Sequence, residues 1–298
     1  MALFEGSGVA LNTLFKNNHV NYDNCGELIE RHNKNKRDAL IICGTTGEAS
    51  TMSVNEKTEL LEFAVKKVKR RIPVIASTGS NDTTQTIEMS KLTQKAGVDG
   101  LLIFNPYYNK TTQKGVIKHF TVVTDNVDIP IILYNVLSRT GLNINSGTVY
   151  QLSLHPNIRG IKEASDNINQ IAEILPLCSA DFSVYSGNDN QVVPILSLGG
   201  VGVISVEADI LPEAIHNFVY EFLYGNHKET GKLQLKMNDL INTLFIVTNP
   251  IPVKTVMNII EMDIGELRLP LEEKEDTNKQ ILVKCLRKYG LKTGDDDD

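Results

Sequence analysis

A lysine closes one of the short apolar segments of this 298-residue chain, at Ile161-Lys162, just before Glu163. Lysine is among the residues least often buried, and a strand covered on both faces usually reaches a loop before any charge appears. Lys162 is therefore either a solvated residue at a strand end or a residue that takes part in a reaction. In an apolar pocket its pKa would fall from about 10.4, and the neutral amine could attack a ketone to form a Schiff base.

Three other polar side chains follow apolar segments of the same kind. Tyr134 ends one segment, and Thr45 and Thr46 follow another within GTTGE at 44–48. A phenol held by threonine hydroxyls can relay the protons that Schiff-base chemistry moves. A glycine-flanked turn can direct backbone N–H groups at a carboxylate. Taken singly, Tyr134 fits a core aromatic equally well, and the turn fits a plain strand-to-helix connector.

Two loops carry further candidates. Arg139 lies in SRTG at 138–141, where its planar guanidinium could bind a second carboxylate or could simply be solvated. Tyr107 and Tyr108 lie in a loop at 106–109, where aromatic side chains are more often interface residues than catalysts.

The elements that must position these residues are alternating strands and helices. Apolar, β-branched segments predict eight strands, at 9–15, 39–43, 74–76, 100–104, 131–134, 160–162, 183–185 and 201–205. Eight such units can close into an α/β fold of the (β/α)8 TIM-barrel type, with an open doubly wound sheet as the alternative. No strand is followed by GxGxxG or GxxxxGK[ST], so we predict the barrel. Its strands end at one mouth, where the candidate residues would meet.

Local signals place several helices. Ser53 and Glu56 form a predicted capping box before an apolar helix face, and Asp82 or Thr83 begins a helix that stops at Gly97. After residue 205 the pattern is helical only, with helices predicted at 212–224, 228–246, 252–261 and 275–289. We therefore divide the chain into a barrel (1–224), a C-terminal helical region (225–294) and an acidic tail (295–298), which we expect to be disordered or a cloning remnant.

Composition narrows the class of protein. A net charge of −6 with no basic block argues against nucleic-acid binding, and no apolar run approaches the ~20 residues that cross a bilayer. The first residues lack a secretory pattern, so we expect a cytoplasmic protein. The four cysteines form no CxxC pair and the histidines show no metal-binding spacing, so we predict reduced core thiols and no metal.

Six motifs, taken in order, resemble the dihydrodipicolinate synthase family of pyruvate-dependent class I aldolases and lyases over nearly the whole chain. They are GTTGE at 44–48, NPYYNK at 105–110, YNVLSRTG at 134–141, IKEAS at 161–165, YSGND at 185–189 and GGVGVIS at 199–205. The resemblance implies condensation of pyruvate with L-aspartate 4-semialdehyde to 4-hydroxy-tetrahydrodipicolinate, in the diaminopimelate route to lysine. It implies no cofactor beyond a covalent pyruvate Schiff base on Lys162.

The resemblance also implies roles for individual residues. The catalytic set would be Lys162, Tyr134, Thr46 and Tyr108, with Tyr108 reaching in from a neighbouring subunit. Thr45 and Thr46 would hold the pyruvate carboxylate and Arg139 the carboxylate of the semialdehyde, while the backbone at Gly187 and Ile204 would line the pocket. A homotetramer, built as a dimer of tight dimers, is implied as well.

Four residues depart from the family pattern: Leu14, Asn105, Leu137 and Asp166. Leu137 replaces a proline and frees the backbone ahead of Arg139. The alternatives are another lyase of the superfamily, such as N-acetylneuraminate lyase or a 2-keto-3-deoxy sugar acid aldolase, and a catalytically silent barrel that binds a keto acid. Arg139 and the second threonine of GTTGE favour the synthase.

Feedback inhibition by lysine in this family uses histidines and a glutamate, and the matching positions here are Val54, Lys57 and Gln85. Valine and neutral glutamine cannot pair with a lysine ligand, and Lys57 repels its ammonium group. We therefore expect an enzyme insensitive to lysine. The alternative is that lysine still binds through Asn81, Tyr107 and the backbone of Ala49.

Overall fold

The computed structural model describes residues 2–35, 37–273 and 276–294. Its strands are β1 (Gly6–Ala10), β2 (Phe15–Lys16), β3 (His19–Val20), β4 (Ala39–Ile42), β5 (Val74–Ser77), β6 (Gly100–Phe104), β7 (Ile131–Asn135), β8 (Ile158–Glu163), β9 (Ser183–Ser186) and β10 (Gly202–Ser205). Its helices are α1 (Tyr22–Lys34), α2 (Val54–Val68), α3 (Thr83–Ala96), α4 (Gln113–Thr124), α5 (Leu137–Thr140), α6 (Ser146–Ser153), α7 (Ile168–Leu177), α8 (Val192–Ser197), α9 (Pro212–Leu223), α10 (His227–Thr243), α11 (Ile251–Ile259) and α12 (Asp276–Lys288). Short 3-10 helices lie at Ala49–Thr51, Asp189–Gln191 and Glu207–Asp209.

Eight parallel strands close into a barrel, in the order β1-β10-β9-β8-β7-β6-β5-β4 and back to β1. The predicted (β/α)8 TIM barrel is thereby confirmed. The strands are buried on nearly all positions, as expected for a parallel sheet covered by helices. In the register of β7 and β8, Tyr134 lies opposite Lys162. The two candidate side chains thus end neighbouring strands at the same level of the barrel.

The first strand is the main error of the sequence-based prediction. β1 begins at Gly6 and ends at Ala10, whereas the prediction ran over residues 9–15. Gly6-Ser7-Gly8 gives no apolar signal, yet the fold requires a residue without a side chain at Gly8. A Cβ at this position would lie 2.8 Å from Cδ1 of Ile41 and 2.9 Å from Cζ of Phe4.

The end of that predicted strand belongs to a β-hairpin that the sequence analysis missed. β2 pairs antiparallel with β3, across Asn17 and Asn18. Both asparagines have positive φ, 52° and 62°, which is the backbone conformation that tight hairpin turns require and asparagine tolerates. The other seven barrel strands match their predicted bounds within two residues.

The predicted helix signals are present. The side chain of Ser53 accepts from the backbone N–H of Glu56, and the carboxylate of Glu56 accepts from the N–H of Ser53, which completes the capping box of α2. Asp82 caps α3, and Gly97 ends it with φ +89°. All four cysteines are free, and three of them are buried.

The C-terminal helices pack against the last helices of the barrel. α10 contacts α8 and α9, and α12 contacts α10 and α11. Gly225, with φ +97°, separates α9 from α10, and a division of the chain at 224 and 225 stays our proposal. The predicted start of the last helix at 275 and the acidic tail at 295–298 lie outside the described residues. None of the helices described is long and apolar enough to span a bilayer.

Candidate active site

A cavity of about 290 Å³ opens at the carboxyl ends of the barrel strands. Six of the residues singled out from the sequence line it: Thr45, Thr46, Tyr134, Arg139, Lys162 and Gly187. They come from the ends of four strands and from the connections that follow them. The barrel therefore brings these residues together, although the first and the last of them are more than a hundred positions apart in the sequence.

Lys162 is the buried amine of this cavity. It is 5% exposed, and its Nζ lies 4.5 Å from the centre of the Tyr134 ring. Within the described residues no hydrogen bond to this Nζ is formed. Burial lowers the pKa of Lys162 to about 8; Asp189 opposes this change and Arg139 adds to it. At pH 7 about one such lysine in ten is neutral, against about one in three thousand for an ordinary lysine.

The phenol of Tyr134 is the candidate proton donor of the site. It is 8% exposed, and burial raises its pKa to about 12, with Arg139 acting in the opposite direction. The phenol is therefore protonated at neutral pH, beside an amine that is partly neutral. The pair combines a nucleophile with a proton donor.

Gly187 makes room for the lysine. A Cβ at this position would lie 3.0 Å from Cε of Lys162, 2.8 Å from Cβ of Ala164 and 2.9 Å from the backbone oxygen of Glu163. The backbone N–H of Gly187 also donates to that oxygen, at 2.7 Å, so the chain is held close to β8. Any side chain here would push against the reacting end of Lys162.

Glu163, next to Lys162, fixes the ends of β7 and β8 from outside the barrel. Its Oε1 accepts from Nδ2 of Asn135 at 2.7 Å, and its Oε2 accepts from the hydroxyl of Ser165 at 2.6 Å. Asn135 and Glu163 are register partners, one step beyond Tyr134 and Lys162. This buried contact holds the two reactive side chains at a set separation.

Asn249 is a site residue that the sequence analysis missed. Its Nδ2 donates to Oγ1 of Thr46 at 3.0 Å, and its backbone oxygen accepts from Nη2 of Arg139 at 3.0 Å. Because the Thr46 hydroxyl accepts this bond, its own proton is free to be donated into the cavity. Asn249 lies in the connection between α10 and α11, and no spacing in the sequence indicates that this segment reaches the barrel mouth.

Tyr108 and Ile204 are not brought to the cavity of the single chain. Tyr108 is 88% exposed on the loop after β6. Ile204 is fully buried within β10 and does not line the cavity, whereas Val206, two residues later, does. The resemblance assigned the backbone at Ile204 to the pocket, and this assignment stays a prediction; Ile204 lies one residue before the end of β10 at Ser205.

The four departures have local explanations. Asp166 has φ +61°, a backbone conformation that glycine adopts most easily and that aspartate tolerates. Its Oδ1 accepts a hydrogen bond from Nδ2 of Asn188 at 2.6 Å. Leu137 is the first residue of α5, a position that suits proline. Asn105 donates to the backbone oxygen of Leu142 at 2.7 Å, and Leu14 is buried in the core.

Comparison with known proteins decides the family. Residues 3–289 match the dihydrodipicolinate synthetase family. The chain belongs to this family. It is 54% identical over 291 residues to 4-hydroxy-tetrahydrodipicolinate synthase 1 of Clostridium acetobutylicum, covering 98% of this chain and 99% of that protein.

Solved structures of the same family have the same fold. The dihydrodipicolinate synthase from Aquifex aeolicus matches with a TM-score of 0.96 and 41% identity, over 98% of this chain and all (100%) of that one. The enzyme from Cyanidioschyzon merolae, solved with lysine bound, matches with a TM-score of 0.95 and 36% identity, over 98% and 100%. These similarities confirm the predicted family and enzyme class, a 4-hydroxy-tetrahydrodipicolinate synthase, and do not favour the rival lyases.

Proposed function

We propose that the chain condenses pyruvate with L-aspartate 4-semialdehyde through a Schiff base at Lys162. The observation that carries this proposal is the buried Nζ of Lys162, which has no hydrogen-bond partner in the described chain and a pKa lowered to about 8. The neutral amine attacks the keto carbon, and loss of water leaves an iminium ion. The iminium draws electrons from the methyl carbon, which loses a proton and attacks the aldehyde as an enamine.

Tyr134 and Thr46 act as proton carriers in this proposal. Because burial raises the pKa of Tyr134 to about 12, its phenol can protonate the departing hydroxyl while the lysine nitrogen forms the double bond. Thr46 accepts from Asn249 and so presents its proton to the phenol oxygen or to the keto acid.

Two groups bind the substrate carboxylates. The turn at Thr45 and Thr46 receives the carboxylate of pyruvate through its amides and hydroxyls. Arg139, at the exposed rim, receives the carboxylate of the semialdehyde, and its bond to the backbone of Asn249 limits where the guanidinium can lie. Gly187 contributes a surface without a side chain beside the reacting carbon.

Reduction with borohydride tests the Schiff base. Treatment of the enzyme with pyruvate and borohydride should add one reduced pyruvate unit to the peptide that contains Lys162, as read by mass spectrometry. The Lys162→Ala variant should gain none. Label on another lysine would contradict the proposal. If pyruvate is trapped but the coupled assay with aspartate semialdehyde and the following reductase shows no turnover, the second substrate is wrong.

We also propose a cytoplasmic homotetramer in which Tyr108 completes the relay of a neighbouring subunit. The side chain of Tyr108 is 88% exposed and its backbone has φ +67°, which is unusual for an aromatic residue at a surface. A subunit contact would cover it. Mixing inactive Tyr108→Phe and Lys162→Ala subunits should restore part of the activity, because one of the two sites in each hybrid dimer combines an intact lysine with an intact tyrosine. Hybrids that exchange subunits, as verified by native mass spectrometry, and stay inactive would rule out the shared site.

A further inference from the structure

A buried carboxylate shares the cavity with Lys162. Asp189 follows β9 in the 3-10 helix Asp189–Gln191, lines the cavity and is 5% exposed. It belongs to the YSGND motif at 185–189, in which only Gly187 has so far been given a role. Aspartate is rarely buried without a partner, so this one requires an explanation.

The protein holds this carboxylate by one oxygen and leaves the other free. Oδ2 accepts from the backbone N–H groups of Val206 and Glu207, at 3.0 and 3.1 Å. Oδ1 is buried and has no hydrogen-bond partner among the described residues. A buried charge without a partner is costly, and Lys162 is the cation that interacts with this carboxylate.

We propose that Asp189 is a positioning residue that acts electrostatically on Lys162, keeping a negative charge beside the amine and then beside the iminium formed on it. This inference rests on the proposed Schiff-base function. Lys162 and Asp189 are both buried, lack complete hydrogen bonding in the described chain and line one cavity. Each supplies what the other lacks.

The charged and titratable groups that face Lys162 act in different directions. Asp189 favours the cation and so does the face of the Tyr134 ring, 4.5 Å from Nζ, whereas Arg139 disfavours it. Burial outweighs them and lowers the pKa of Lys162. On the other side, burial raises the pKa of Asp189, while Ser205, the backbone N–H groups and Lys162 lower it.

Removing the charge of Asp189 should therefore have two opposite effects. The pKa of Lys162 should fall further, so that more of the amine is neutral at a given pH. The iminium, which is cationic, should lose its counter-charge and become less stable. A residue with only a structural role would produce neither shift.

The Asp189→Asn variant isolates the charge, because the amide oxygen can still accept from Val206 and Glu207. The first measurement is the rate of reductive methylation of Lys162 by formaldehyde, with cyanoborohydride as the hydride donor, as a function of pH and read on the Lys162 peptide. This rate follows the neutral amine, so it rises with pH to a midpoint of about 8 in the unchanged enzyme. We expect the midpoint to fall by about one pH unit in Asp189→Asn, which corresponds to a tenfold change in the amine equilibrium.

The second measurement is borohydride trapping as a function of pyruvate concentration. At a pH above both midpoints, half-maximal trapping in Asp189→Asn should need about ten times more pyruvate, since the iminium is less stable. Methylation does not involve pyruvate. If the methylation midpoint falls in Asp189→Asn as expected but the unchanged enzyme traps no pyruvate, the proposed function fails while the electrostatic pairing stands.

Glu207→Gln is the matched control. Glu207 is the neighbouring carboxyl, fully buried and with neither oxygen hydrogen-bonded in the described chain, but it does not line the cavity. Its neutral variant should leave both measurements unchanged. An unchanged midpoint in Asp189→Asn, or an equal shift in both variants, would overturn the inference. If Asp189→Asn does not fold, the smaller neutral variant Asp189→Ser takes its place under the same criteria.

Discussion

Two buried lysines of this chain have similar surroundings and different hydrogen bonding. Lys162 is 5% exposed and Lys254, in α11, is 1% exposed. Each has its Nζ above an aromatic ring, 4.5 Å from the centre of Tyr134 and 4.6 Å from the centre of Phe15. Burial lowers the pKa of both. Burial and an aromatic neighbour therefore do not by themselves distinguish a reactive lysine.

The difference lies in the partners of the ammonium group. Nζ of Lys254 donates to Oε1 of Glu48 at 2.6 Å, to the backbone oxygen of Thr13 at 3.0 Å and to that of Glu266 at 2.6 Å. These three bonds use all the protons of an ammonium group. Lys162 makes none of this kind in the described chain and faces a cavity instead. A lysine with complete hydrogen bonding holds structure, and one without it is available to a substrate.

Lys254 also serves the site indirectly. Glu48 ends the GTTGE turn with φ +52°, and its Oε2 accepts from the backbone N–H of Arg268 at 2.9 Å. The ion pair therefore fixes the end of the turn that carries Thr45 and Thr46. The structural lysine holds in place the residues that the reactive lysine needs.

The largest effect should come from removing the partner of Glu48. Lys254→Met leaves a fully buried carboxylate unpaired, and breaking such a pair typically costs about 3–5 kcal/mol. We expect the free energy of unfolding at pH 7 to fall by about that amount, measured by urea denaturation followed by circular dichroism.

Lys162→Met is the matched control for this comparison, with the same substitution in the other buried lysine. The folded-state pKa of Lys162 is lowered to about 8, so its charge costs stability in full below that pH, and the cost disappears as the pH rises toward the pKa of an ordinary lysine. Asp189 keeps its two backbone N–H donors, of Val206 and Glu207, once the cation is gone. We expect a change of about 1 kcal/mol or less in unfolding, together with complete loss of imine formation. Equal destabilisation in both variants would show that the two lysines do not differ as described.

The sequence was sufficient to predict the parts of the site that lie at the ends of strands. Alternating apolar segments located seven of the eight barrel strands, and the ends of those strands located Lys162, Tyr134 and the turn at 45–46. β1 was misplaced because its glycines and serine carry no apolar pattern, although close packing against Asp38 selects Gly6 and close packing against Phe4 selects Gly8.

The remaining site residues depend on tertiary packing that local patterns do not encode. Asn249 reaches Thr46 only because the C-terminal helices fold back over the mouth of the barrel. Lys254 looked like one residue of an ordinary helix, since its partners Thr13 and Glu48 lie more than 200 positions earlier. Asp189 lies inside a motif that the sequence analysis recognised. Its proposed role depends on the unpartnered Oδ1, which only the three-dimensional structure shows.

A third lysine, Lys57, gives the smallest expected effect, which is the absence of regulation by lysine. It is partly buried in the first turns of α2, and burial lowers its pKa while Cys43 and Glu56 raise it. Unlike Lys162, it does not line the cavity. Val54, at the start of α2, is exposed and apolar, and Gln85, in the first turn of α3, is exposed and neutral. None of the three can pair with the ammonium group of a free lysine ligand.

Losing one charged contact typically costs about 1.5–3 kcal/mol, or roughly ten- to a hundredfold in affinity. We therefore expect lysine concentrations up to about 1 mM to leave the initial rate of the coupled assay unchanged. A dissociation constant of about 1 mM corresponds to a weak site of about −4 kcal/mol. Half-inhibition below about 1 mM would contradict this expectation and would indicate binding through Asn81, Tyr107 and the backbone of Ala49.

As a positive control, a variant combining Lys57→His with Gln85→Glu removes the repelling charge and adds a carboxylate, and it should gain measurable inhibition. Because Lys57 lies outside the cavity, this variant should keep the pH midpoint of Lys162 methylation near 8.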